Sequence, residues 1–128
     1  MAVREVAVDG AADPDVSWER YADLGLWSSW SPQISRVDAP GSRLVAGLRG
    51  TVRVVGGLPV PFEITAVDHL ARRWSWRVSV LGIAMRLDHG VEVVAAGSRA
   101  TLRLDGPLPV VAAYALLTRL ALRRLVKP

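Results

Sequence analysis

The sequence predicts an α+β domain: a twisted antiparallel sheet of about seven strands packed on a long C-terminal helix, with two short helices after the first strand. Three observations lead there. Between residues 47 and 104 apolar and polar residues alternate in consecutive segments separated by short turns, most of them glycine-containing. That is the pattern of antiparallel strands with one dry and one wet face. From residue 108 to 126 the alternation stops and an Ala- and Leu-rich stretch with helical spacing begins. The chain of 128 residues is long enough for one domain with one core.

The first strand spans residues 3–9, with Val6 and Val8 on one face. Asp13-Pro14 supplies a cap residue followed by proline at a first turn, so a helix is predicted over residues 15–24 with Val16, Tyr21 and Leu24 buried. Residues 26–32, Leu-Trp-Ser-Ser-Trp-Ser-Pro, fit a second short helix or turn, and residues 34–37 a short strand. In the strand over residues 47–55, Leu48, Val52 and Val54 share a face, and Gly56-Gly57 closes it. Residues 60–68 follow, with Phe62, Ile64 and Ala66 on one face. Residues 73–81 alternate most clearly: Trp74, Trp76, Val78 and Val80 against Arg73, Ser75, Arg77 and Ser79. Residues 84–94 set Met85, Leu87, His89, Val91 and Val93 against Arg86, Asp88 and Glu92. Residues 98–104 turn Ala100, Leu102 and Leu104 inward. On the terminal helix the stripe Val110, Tyr114, Leu117 and Ala121 is expected to meet the sheet, with Arg119 and Arg123 opposite and Thr118 off its centre.

Composition removes whole classes of function. Hydrophobic residues at 51% and charged residues at 22% exclude disorder as the dominant state. The absence of cysteine excludes disulfides, zinc–thiolate sites, iron–sulfur clusters and thiol nucleophiles. The net charge of +4 resides in Arg119, Arg123, Arg124 and Lys127, and the first 118 residues carry twelve charges of each sign. A nucleic-acid-binding face would spread its charge, so no nucleic-acid partner is expected. The terminal cations complement the negative end of a helix, or could touch an anionic surface. Residues 1–9 lack the continuous apolar stretch of a secretory signal, and the apolar run over residues 107–117 is shorter than the roughly 20 residues that span a bilayer. The expectation is a cytoplasmic protein without membrane insertion, with a homodimer open.

No Gly-x-Ser-x-Gly elbow, phosphate loop or dinucleotide fingerprint is present, and no cofactor is expected. Asp68-His69 and Asp88-His89 look like metal ligands, but strand neighbours point to opposite faces, so no metal site is expected. A twisted sheet gripping a helix leaves an apolar hollow, where small ligands bind. By alternation His89 faces that hollow and is the candidate general acid/base; Tyr114, from the helix, is the candidate donor. Trp74 and Trp76 offer an aromatic wall. Trp30, Phe62, Met85, Leu87, Val110 and Leu117 complete the expected lining. Asp23 reads as a capping residue and His69 as exposed loop.

These residues also carry a family resemblance. Asp13-Pro14-Asp15-Val16-Ser17-Trp18, the Asp-xxx-Trp-xx-Trp-x-Pro element of Asp23, Trp27, Trp30 and Pro32, Trp74-Ser75-Trp76-Arg77-Val78, the glycine-closed hairpin over residues 94–101 and the terminal helix resemble the START/Bet v 1-like superfamily, in its polyketide cyclase/dehydrase branch. The resemblance covers nearly the whole chain. It implies a helix-grip fold whose cavity takes a hydrophobic small molecule such as a lipid, polyketide or isoprenoid. Three expectations follow. The cavity cyclises, dehydrates or isomerises a polyketide-like substrate without a cofactor, largely by orienting it; or it belongs to a non-catalytic carrier or sensor; or side chains fill it and the domain is an interaction module.

Overall fold

The structure, a computed structural model, describes residues 2–128. The strands β1 (Ala2–Gly10), β2 (Ile34–Asp38), β3 (Arg49–Val54), β4 (Pro59–Asp68), β5 (Arg73–Val80), β6 (Ile83–Val94) and β7 (Gly97–Gly106) form one seven-stranded sheet. Its order is β1-β7-β6-β5-β4-β3-β2, antiparallel throughout. The helices α1 (Pro14–Ala22) and α2 (Trp27–Trp30), joined by a 3₁₀ turn over Leu24–Leu26, bridge β1 and β2. The long helix α3 (Leu108–Leu125) packs chiefly on β1 and β7. This is the Bet v 1-like helix-grip arrangement. No helix among the described residues is long and apolar enough to cross a membrane.

The alternation produces two unlike faces. Outside, charged residues pair across strands: Glu63 lies between Arg49 and Arg77, and Glu92 between Arg73 and Arg99. Such exposed pairs contribute at most about 1 kcal/mol each, so the inner face holds the fold. There the register aligns rows of apolar side chains: Trp74 with His89 and Leu102, and Trp76 with Ile64, Leu87 and Leu104.

Four expected placements are corrected. In β4 the ladder shifts between Ile64 and Ala66, so Ala66 turns to solvent and Val67 half-buries beside Trp74. One extra residue reverses every later side chain, and residue-type alternation does not reveal it. Val93, near the β6–β7 turn, is exposed. In α1 the buried positions are Ser17, Trp18, Tyr21 and Ala22, while Val16 is exposed; the helix ends at Ala22, and Leu24 is buried in the 3₁₀ turn. The α3 stripe that reaches the interior is Val111, Thr118, Ala121, Leu122 and Leu125. Leu117 is 51% exposed and Val110 only partly buried. Leu108, Leu116 and Leu120 are exposed as well, so apolar residues lie on every side of α3 and its phase is set by tertiary contacts.

Those contacts concentrate at the C-terminal end of α3. The Arg20 guanidinium donates to the carbonyls of Arg124, Leu125 and Lys127, satisfying acceptors that a helix end leaves free. Ala12 N–H donates to the Val126 carbonyl at 3.0 Å. Gly10 is needed at this crossing: a Cβ there would stand 2.3 Å from the Val126 oxygen. Gly10→Ala is therefore expected to cost about 2–3 kcal/mol in urea denaturation, as for overpacked sites generally. A loss below about 0.5 kcal/mol, the usual range for an unconstrained surface site, would contradict this close approach.

Candidate functional site

The aromatic segment after α1 is pinned by its own indoles. Trp27 Nε1 donates to the Tyr21 carbonyl and Trp30 Nε1 to the Arg20 carbonyl, both at 2.8 Å. Asp23 accepts from Gly25 N–H and starts the 3₁₀ turn, the capping role expected for it. These bonds carry Trp27, Trp30 and Tyr21 against the inner face of the sheet, where β5 and β6 supply Trp74, Trp76 and His89.

The rings interlock. Trp74 stacks on His89 with centroids 3.9 Å apart and planes at 6°, and on Trp27 at 5.5 Å and 26°. Tyr21 stands edge-on to Trp30, Trp74 and His89 at 5.3, 5.5 and 5.4 Å. Trp76 meets Trp27, Trp74 and Phe62 at 5.2–5.3 Å. Quadrupole-favoured contacts of this kind add to the area the rings bury.

Between this cluster and α3 lies a mainly apolar cavity of about 50 Å³. Its wall includes Trp30, Trp74, Trp76, Leu87, His89 and Tyr114 of the expected site, together with Tyr21, Gln33, Val54, Val60 and Thr118. Pockets for drug-sized ligands run to about 300–1,000 Å³, so this cavity is small, the space being largely filled by the protein's own rings. Larger depressions elsewhere are open grooves; the one bordered by Ser28, Arg36 and Pro40 is half polar.

Four expected lining residues lie outside this wall. Phe62 stands behind Trp76, 5.3 Å ring to ring. Met85 is buried close to Gly106, whose added Cβ would lie 3.0 Å from Met85 Cγ. Val110 packs at the edge of the core, and Leu117 points outward. Thr118, read from the sequence as off-centre, lines the cavity, its hydroxyl donating to the Ala115 carbonyl at 3.0 Å. Gln33 carried no signal in the sequence. Tyr21 was legible only as a buried helix position.

His89 reaches the interior as its alternation suggests. Its Nδ1 lies 3.3 Å from the Trp74 carbonyl. A carbonyl only accepts, so Nδ1 carries the proton and Nε2 is left as an acceptor. Burial pulls the imidazole pKa down to about 3, against smaller opposing effects of the Trp74 carbonyl and the Asp88 charge. At neutral pH His89 is an uncharged ring in an aromatic wall, far from the poise a general base needs. Asp88 turns to the outer face, where it accepts from Ser75 Oγ at 2.6 Å, so this pair diverges. His69 is exposed and accepts from Trp18 Nε1 at 3.3 Å. Burial raises the Tyr114 pKa, partly offset by the Gln33 side chain, so its hydroxyl keeps its proton.

The comparisons with known proteins bear on the family and the fold. The family model described as "Polyketide cyclase / dehydrase and lipid transport" matches residues 1–128. No curated protein sequence matches the chain. Among solved structures, a protein of Mesorhizobium loti superimposes with a TM-score of 0.82 at 12% identity, covering 97% of this chain and 93% of that one. Ara h 8.0201 gives 0.78 at 14%, covering 97% and 94%. DynU16, from the dynemicin biosynthetic locus, gives 0.73 at 19%, covering 93% of this chain and 45% of its own.

Proposed function

The chain belongs to the polyketide cyclase/dehydrase and lipid transport family, and from that membership we propose that it binds a small hydrophobic molecule between sheet and α3, admitting it by displacement of the first half of α3. The observation that carries this reading is the uneven hold on that helix over an aromatic wall. In residues 108–117 only Val111 is fully buried, whereas Thr118, Ala121, Leu122 and Leu125 are buried beyond it. Arg20 and Ala12 grip the far end. The first half of α3, which brings Tyr114 to the wall, is therefore held less firmly than the second half, and its movement enlarges a cavity now too small for any sizeable ligand.

Binding without acid–base catalysis is the favoured form, because His89 stays neutral and its Nδ1 is committed. A catalytic form rests on orientation, with Tyr114 as a protonated donor to a substrate oxygen, and Tyr114→Phe tests it once a turnover assay exists.

Two measurements test the binding reading. Native mass spectrometry of protein purified from its own host, followed by denaturing extraction, is expected to release a defined hydrophobic compound. Amides of residues 112–117 are expected to exchange with deuterium at least about tenfold faster than those of residues 119–125, and to slow when a ligand is added. Protein that comes away empty, binds no aromatic or aliphatic probe and protects α3 uniformly would sink the reading.

A further inference from the structure

The residues of the cavity wall carry polar atoms that the protein itself leaves unused. Among the described residues, the buried side-chain nitrogens and oxygens without a hydrogen-bond partner are Tyr21 Oη, Gln33 Oε1, Trp74 Nε1 and Trp76 Nε1. All four residues line this one cavity. Tyr21, Trp74 and Trp76 are 0%, 2% and 7% exposed. Buried polar groups are nearly always paired, because each unpaired one forfeits its hydration, so four in one wall call for a partner; Gln33 Oε1 accepts, and the three ring groups are donors. Their chemistry sets that partner's polarity. An indole N–H only donates, and a phenol donates readily. Their rings adjoin, Tyr21 to Trp74 at 5.5 Å and Trp74 to Trp76 at 5.3 Å. The wall contains no lysine or arginine, and His89 is neutral. A carboxylate there would be a buried charge without a counter-charge.

Resting on the reading of the cavity as a ligand site, we infer that the ligand is a neutral molecule with a bare acceptor oxygen, a ketone, ester or ether, held by Tyr21 Oη, Trp74 Nε1 and Trp76 Nε1. A carbonyl oxygen has two lone pairs and so serves two of these donors at once. Hydrocarbons leave the donors unpaired, and fatty acids and other carboxylates bring an uncompensated charge.

The test compares three probes of similar shape on the full chain, followed by tryptophan fluorescence and calorimetry. Acetophenone carries C=O where isopropenylbenzene carries C=CH₂, and benzoate carries the charge. Acetophenone is expected to bind about tenfold more tightly than isopropenylbenzene, the worth of one net hydrogen bond. Benzoate is expected to bind more weakly than either. The indole N–H proton resonances of Trp74 and Trp76 are expected to move further downfield with acetophenone than with isopropenylbenzene, which supplies only the ring-current effect of the shared benzene ring. Tyr21→Phe removes one donor with little change of volume and should narrow the ratio. Equal affinity for acetophenone and isopropenylbenzene overturns the inference and leaves the cavity reading intact, since water then serves the donors as well as a ketone does. Tightest binding of benzoate also overturns it. If none of the three binds, the inference falls, and the cavity reading is decided by the native mass spectrometry and exchange measurements.

Discussion

Trp74→Ala is expected to cost about 3–5 kcal/mol of folding stability, the range seen when a buried tryptophan is truncated to alanine. Typical domains have only about 5–15 kcal/mol in total, so the urea midpoint should fall by a large fraction. The size of the effect follows from position. Trp74 is stacked between Trp27 and His89, edge-packed by Tyr21 and Trp76, and its row in the sheet continues into Leu102. Truncation removes its contacts with Trp27, His89, Tyr21 and Trp76 together, and rigid β-sheet on either side limits collapse of the space left behind. The same space predicts a rescue. Indole, which replaces the lost atoms, should raise the midpoint of Trp74→Ala increasingly with its concentration, and by more than it raises that of the wild type. A loss under about 1 kcal/mol would mean that this cluster is not the close-packed centre of the fold.

The sheet was legible because each strand has one wet and one dry side. Arg73, Ser75 and Arg77 against Trp74, Trp76 and Val78 admit only one orientation. An antiparallel sheet covered by a terminal helix followed from that run of strands and the helix after it; the helix-grip fold was what the family resemblance implied. Two kinds of detail were not legible. The β4 bulge moved Ala66 outward and Val67 inward, and a bulge is a property of strand pairing that no single strand's pattern encodes. The phase of α3 was hidden because leucines occupy both its sides; Arg20, Ala12 and Gly10, all distant in sequence, set it, bringing Thr118 inward and Leu117 outward. The site divides the same way. Trp30, Trp74, Trp76, Leu87, His89 and Tyr114 could be assigned to one interior from alternation and helical spacing. The tautomer of His89, the idle donors and the small size of the cavity depend on how rings from five elements interlock, and residue type alone does not report it.

The second large effect is acid sensitivity from His89. An unfolded chain takes up a proton on this imidazole as pH falls through its ordinary value of 6.5, whereas the buried ring resists until about 3. Between those values the unfolded state binds more protons, so stability is full above pH 6.5 and is lost as pH falls. At about 1.4 kcal/mol per pH unit, the loss from pH 6.5 to 4.5 is on the order of 2–3 kcal/mol. The paired carboxylates act in a lower window. Hydrogen bonds from Arg99, Arg43 and Arg53 hold Asp9, Glu19 and Asp38 below their ordinary values. At Asp88 burial works the other way, but Ser75 and Arg86 outweigh it. These groups contribute stability that is present above their unfolded values of 3.8 to 4.5 and fades as pH falls through their folded ones. The interval from pH 6.5 to 5 therefore lies above the window of these carboxylates. Urea midpoints measured across it should decline steadily for the wild type. For His89→Gln, which starts less stable but has no group to charge at this position, they should stay nearly level. Parallel slopes in the two proteins would show that the imidazole is hydrated in the folded state, and with it the aromatic wall would have to be more open to water than its packing allows.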